Sequence, residues 1–189
     1  IDAWESRSIQ PIDEEGIGIS YITPIVYEKT GELYFICRAL YPEDDYWAPH
    51  REVLLFHKGA GSDRWASPQT LINLSNPNDN NSPYFSRKIV FAPADGEHPD
   101  RLLFSWTASN GHAREEPVRF NDVYFAYIAL QDRKGHKRHH LYSADGRSIG
   151  KTVLEENRAQ TRVFDTGNTQ YRAIHHAFAT SRTASGDPL

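Results

Sequence analysis

Strand chemistry leaves this chain little choice of fold class. Its β-branched and aromatic residues fall in runs of roughly five to nine, bounded by Gly, Pro, Asn and Asp, and no stretch sustains the apolar period of about 3.6 that an amphipathic helix needs. The chain therefore reads as all-β. Strands are expected at 19–27, 33–40, 52–57, 70–74, 87–92, 101–107, 122–130, 139–142, 162–164 and 173–179. The segments between them, "EKTG", "GAGSD", "NPNDNNSP", "PADGEHPD", "QDRKGHK" and "SADGRSIG", supply the residue types that hairpin loops require.

The order of these parts repeats. "SYITPIVYEKTGELYFICRAL" followed by "REVLLFHKG" parallels "SPYFSRKIVFAPADGEHPDRLLFSWTAS" followed by "NDVYFAYIAL", with offsets of 63 at Tyr21/Tyr84, 69 at Phe35/Phe104 and 70 at Val53/Val123. "TRVFDTGNTQYRAIHHAFATS" opens a third unit in the same way. Repeated units of four short strands are the pattern of propeller blades. A seven-bladed β-propeller needs well over twice 189 residues, so the expectation is about two full blades plus parts of neighbours, one domain over 1–189 with both ends truncated. An initial Ile and the absence of Met point the same way. A single β-sandwich of about ten strands is the alternative that length and spacing permit. Residues 76–82, the most polar stretch, read as a connection between blades.

Composition narrows the partners. The chain carries 21 Lys and Arg against 25 Asp and Glu, a formal charge of −4, with the basic residues scattered among acids, so no nucleic-acid partner is expected. Apolar runs such as 53–56 hold about four residues where a bilayer needs about 20, so no membrane span is expected either. The single cysteine, Cys37, excludes an internal disulfide and a multi-cysteine zinc cage, and it lies in a strand without a nucleophile motif.

Tyr21 and Arg38 are the first candidates for chemistry. A four-residue loop at 28–31 pairs Tyr27 with Glu32 and, counting back along the hairpin, sets Tyr21 opposite Arg38; a three-residue loop would put them on opposite faces. A guanidinium offers a planar two-pronged donor to a carboxylate, and a phenol beside it can move a proton. The bland alternative is a Tyr–Arg packing pair. Nine histidines form the second feature. His112, in "SNGH" after a strand, stands where strand ends feed a rim, whereas His175 and His176 share a strand and face opposite ways unless it bulges. His139 and His140 read as a solvated edge. Three histidines could converge on a zinc, but no HxH or HExxH spacing is present, so no metal ligand is assigned, no cofactor is required and at most a structural cation is expected. Trp47, Trp65 and Trp106 fall at or near loops or strand ends, where rings stack on sugars or fill the space between blades. His112, Trp47, Arg119, His175 and His176 make up the expected substrate-binding set.

Residues 143–150, "SADGRSIG", look like a degenerate Asp-box turn capped by Asp145, with "GAGSDRW" at 59–65 its counterpart one blade earlier. With "SYITP…GELYFICR", "W…SPQTLINL", "NDVYFAY" and "HHAF" in the same order, the chain resembles the BNR/Asp-box repeat proteins, and within them the ulvan lyases and related seven-bladed enzymes acting on rhamnose- and uronate-containing polysaccharides. The resemblance implies a secreted or periplasmic polysaccharide lyase working by β-elimination. Tyr21 would be its proton-transfer residue and Arg38 its carboxylate neutraliser, with remaining blades supplied by the same or another chain. In those enzymes a pair of histidines from earlier blades completes the site; the 20 residues before Tyr21 contain no such pair. A glycoside hydrolase on the same scaffold and a non-catalytic carbohydrate-binding propeller are the alternatives.

Overall fold

The computed structural model describes residues 18–40, 52–74, 82–85, 88–109 and 120–166. Their strands are β1 (Gly18–Tyr27), β2 (Glu32–Leu40), β3 (Val53–Lys58), β4 (Gln69–Asn73), β5 (Ser82–Phe85), β6 (Val90–Ala92), β7 (Arg101–Ser109), β8 (Phe120–Ala129), β9 (Leu141–Tyr142), β10 (Ser148–Gly150), β11 (Val153–Leu154) and β12 (Arg162–Phe164). Among the described residues there is no α-helix, only a 3-10 turn at Arg158–Thr161, so the chain is all-β.

The strands form two sheets. In the first, β1 to β4 follow one another as an antiparallel meander and β11 adds to β4 in parallel. The second runs β10-β9-β8-β7, with β5 and β6 both on the far edge of β7 and β12 on the edge of β8 that also carries β9. Strand chemistry differs with position. At the edge of the first sheet, β1 points Ile22, Pro24 and Val26 to solvent and turns Thr23 and Ile25 inward, the alternation of a half-covered strand. In β2 and β7 the side chains at 34–39 and 102–108 are buried on both faces, which is why they read as continuous apolar and aromatic runs.

One core joins the sheets. Tyr34, Ile36, Val53, Leu55, Leu71 and Ile72 of the first pack with Leu102, Phe104, Trp106, Tyr124, Ala126 and Ile128 of the second. Each fully buried large side chain of this kind contributes about 1.5–3 kcal/mol relative to exposure. Both architectures expected from the sequence, propeller and sandwich, contain such a pair of sheets. A buried carboxylate adds a polar tie between them. Asp100, fully buried at the head of β7, accepts hydrogen bonds from the Tyr27 hydroxyl (2.5 Å), the Lys29 ammonium (2.7 and 2.8 Å) and the Ala94 amide (2.6 Å).

Several expected boundaries move. Of the strand expected at 87–92, β6 keeps 90–92, and a separate strand, β5, precedes it at Ser82–Phe85, where the stretch expected to be a connection ends; both pair to β7. The strand expected at 139–142 is reduced to its last two residues, because His139 takes a φ of 60°, which extended backbone does not tolerate. β10 and β11 hold three and two residues, too few to carry a period in the sequence. The strand expected at 173–179 lies outside the described residues.

Candidate functional site

The β1–β2 hairpin places the first candidates. Its loop is the four-residue one, closed by Gly31 and Thr30 amides donating to the Tyr27 carbonyl (2.9 and 3.2 Å), and Gly31 takes the φ of 75° that the turn demands. This sets Tyr27 opposite Glu32, and the register holds back to Thr23 opposite Ile36. A β-bulge then intervenes. Tyr21 and Ile22 occupy the step before the ladder resumes, and Arg38 has Ser20, not Tyr21, as its backbone partner. The direct cross-strand pairing expected from the loop count is therefore off by one residue. Tyr21 sits at a φ of 56°, a left-handed conformation that costs a residue with a Cβ about 1–2 kcal/mol.

The bulge nonetheless brings the two side chains together. The Arg38 guanidinium carbon lies 5.6 Å from the centroid of the Tyr21 ring and 5.9 Å from that of Tyr84, and the two rings meet edge to face at 5.7 Å. Three strands contribute: β1 and β2 of the first sheet and β5 of the second. Arg38 is 6% exposed, whereas Tyr21 and Tyr84 are half-buried. A cation packed against two aromatic rings in a largely desolvated setting is attracted more strongly than at an open surface, and an anion reaching it would meet little competing water. Tyr84 had a signal in the sequence, its alignment with Tyr21 in the repeat.

Other expected residues separate. Trp47, His112, Arg119, His175 and His176 lie outside the described residues. Trp106 is fully buried between Phe104 and Tyr124, each ring at 5.5 Å, so it is a core residue and offers no face to a sugar. Trp65 meets Phe35 edge on at 5.0 Å and covers the outer face of the first sheet. Burial pushes the Cys37 thiol up to about 12, in keeping with a packing role. In the 143–150 turn, Asp145 accepts from the Ser143 hydroxyl (2.5 Å) and Gly146 takes a φ of 79°, so Asp145 organises that hairpin as expected.

A cluster that the sequence reading passed over lies at the other end of β2. Glu32 accepts hydrogen bonds from the Arg138 guanidinium, the Thr30 hydroxyl (2.9 Å) and the Tyr34 hydroxyl (3.3 Å), with His57 Nε2 at 3.1 Å. Arg138 also donates to the Tyr34 oxygen (3.1 Å) and, through Nε, to His139 Nε2 (3.2 Å). The Tyr34 and His57 rings stack at 4.7 Å. Burial would raise the Glu32 carboxyl, but the hydrogen bonds from Arg138, Thr30 and His57 bring it down to about 2. Burial, with Arg138 and His57 adding to it, takes His139 down to about 4, so its ring is neutral at pH 7. His139 is thus a member of a half-buried network and not the solvated edge expected. The carboxylate is already neutralised by Arg138, which makes this a clasp between the sheets. Only the contact of residues 106 positions apart reveals it. Among the described residues no group of three or more His, Cys, Asp or Glu is placed to hold a metal ion, and no helix is long and apolar enough to cross a membrane.

No family model matches the sequence, and no curated protein matches it. Two solved structures are similar in fold, both of an ulvan lyase described as a new family of polysaccharide lyase. One, bound to -[GlcA(1-4)Rha3S]-, has a TM-score of 0.60 and 15% identity. The other has the same TM-score and 16% identity. In each case the likeness covers 90% of this chain and 36% of that one, so this chain spans about a third of their length.

Proposed function

We propose that the chain is part of a polysaccharide lyase that cleaves a uronate-containing, ulvan-like polysaccharide by β-elimination, on a β-propeller of which it supplies two blades. The observation that carries the reading is the Arg38 guanidinium held 5.6 Å from the Tyr21 ring, on a bulge where Tyr21 adopts a strained backbone. The scaffold reading draws support from the two meandering sheets and from their likeness in fold to the ulvan lyase. The turn at Asp145 supports an Asp-box element. Further blades would come from the same or another chain, and a secreted or periplasmic enzyme fits such a substrate.

The residues suit the chemistry. Arg38 would pair with the carboxylate on C5 of the uronate, meeting the charge that builds there as the C5 proton leaves. Tyr21, in its phenolate form, would accept that proton and become the hydroxyl. The electron pair left on C5 becomes the C4–C5 double bond as the bond from C4 to the glycosidic oxygen breaks, and the Tyr21 hydroxyl can return a proton to the leaving oxygen. Incubation with ulvan and other uronate polysaccharides, following the ultraviolet absorbance of the unsaturated product, tests the reading. Tyr21→Phe and Arg38→Lys should each cut the rate by roughly 10²–10⁴-fold. Undiminished rates in both variants remove the pair from the mechanism. Products without the double bond would make the protein a glycoside hydrolase, and binding without product a carbohydrate-binding module.

A further inference from the structure

Arg38 and Glu32 stand six residues apart on β2, about 20 Å at the rise of a strand, so the clasp marks the end of the molecule remote from the candidate catalytic pair. Cations gather at that remote end. Residues 131–151 hold six Lys and Arg against two Asp, in a chain whose net charge is −4. The loop that carries most of them is firmly built. Arg133 and His136 exchange both backbone hydrogen bonds (3.0 and 2.8 Å) around Lys134 and Gly135, whose φ values of 46° and 83° make a tight primed turn. Beyond it, the Lys137 amide donates to the Tyr142 hydroxyl (2.7 Å) and the Arg138 amide to Asp132 (2.8 Å), while the Arg138 side chain is fastened to Glu32. Gln69 brings Lys151 alongside, its side-chain amide donating to the carbonyls of His139 (3.0 Å) and Lys151 (2.8 Å).

Lys134, Lys137 and Lys151 are exposed, and among the described residues none of them makes an ion pair. Lys134 uses its ammonium on the Gly96 carbonyl, which fixes it in place without neutralising it. Lys137 and Lys151 lie close enough to His140 to act on it: burial first, then these two lysines, hold it below its usual range, with only Asp132 opposing. We propose that Lys134, Lys137 and Lys151, on this prefolded loop and its neighbour, form a second, non-catalytic site that grips a polysaccharide strand bearing carboxylates or sulfates. The grouping of cations stands by itself; the choice of a polysaccharide rests on the lyase reading. It is also favoured over nucleic acid because the tyrosines at this end, Tyr34, Tyr127 and Tyr142, are 1–3% exposed and offer no platform for bases.

The test measures binding of the 189-residue chain to heparin, uncharged dextran and a single-stranded polynucleotide over a range of salt. Heparin should bind and dextran should not, with affinity falling as salt rises. Combining Lys134→Asn, which suits a positive φ, with Lys137→Gln and Lys151→Gln should weaken heparin binding about tenfold or more and lower the salt slope by about two to three. Lys137→Glu alone should also weaken it. All three side chains are exposed, so a matching thermal midpoint verifies the fold. Unchanged heparin affinity in both variants, or equal affinity for the polynucleotide, overturns the proposal. Because the readout is binding alone, heparin bound in this way without unsaturated product from any uronate polysaccharide supports the site and defeats only the lyase reading.

Discussion

Glu32→Gln keeps the size of a side chain that four donors converge on and removes its charge. In the native chain the carboxylate faces Arg138, Thr30, His57 and Tyr34, and these hydrogen bonds outweigh burial to take its pKa from the usual 4.5 to about 2. A carboxyl depressed in the folded state contributes stability that is complete above its unfolded pKa and disappears as pH falls through the folded one, here from about 4.5 down to about 2. At about 1.4 kcal/mol for each pH unit, the shift corresponds to an upper figure of about 3 kcal/mol at neutral pH. The Arg138 side chain is 38% exposed, and solvent screening of its half of the pair brings the working figure to about 2 kcal/mol. Urea unfolding of both proteins at pH 7, 4 and 2 measures it. The variant should be about 2 kcal/mol less stable at pH 7, with the difference closing toward pH 2. A cost below about 0.5 kcal/mol at pH 7, or a difference that persists at pH 2, would show that the charge of Glu32 does not hold the two sheets together.

Asp100→Asn should cost about 2–4 kcal/mol in the same assay, because the Tyr27 hydroxyl, the Lys29 ammonium and the Ala94 amide lose a fully buried anion. Its carboxyl is held low despite burial, so the native advantage over the variant should fade as the solution is acidified below the ordinary carboxylate range. His139 has a depressed folded pKa of about 4, so protons bind the unfolded chain first and stability should drop as pH falls from about 6.5 to 4. His139→Asn, whose side chain tolerates the φ of 60°, should flatten that part of a pH–stability curve; an unaltered curve places the sensitivity elsewhere.

How much of this was legible before folding follows from the range of each interaction. The hairpin loop at 28–31 and its register could be counted from the residues, because Gly31 and a four-residue turn constrain the ladder locally. The bulge at Tyr21 could not. A residue with a ring and a Cβ gives no hint of a positive φ, and the rings and cation it packs against, Tyr84 and Arg38, come from other strands. Trp106 looked like a strand-end ring and is the centre of an aromatic stack, since a sequence does not state which face of a strand is covered. His139 read as part of a solvated edge because its partner Tyr34 is 105 residues away, and the Glu32 that fastens the neighbouring Arg138 is 106 residues from it.

By itself the sequence determined where most of the described strands lie, the turns between them and the repeat of their order, since period and turn chemistry act over a few neighbouring residues. Tertiary structure alone decided which groups share a site: that Arg38 packs against two tyrosines from different sheets, that Glu32 clasps Arg138, and that Lys137 and Lys151 both act on His140 at the remote end. Those pairings depend on how two sheets stack over a common core, and stacking is set by the summed burial of many residues rather than by any local pattern.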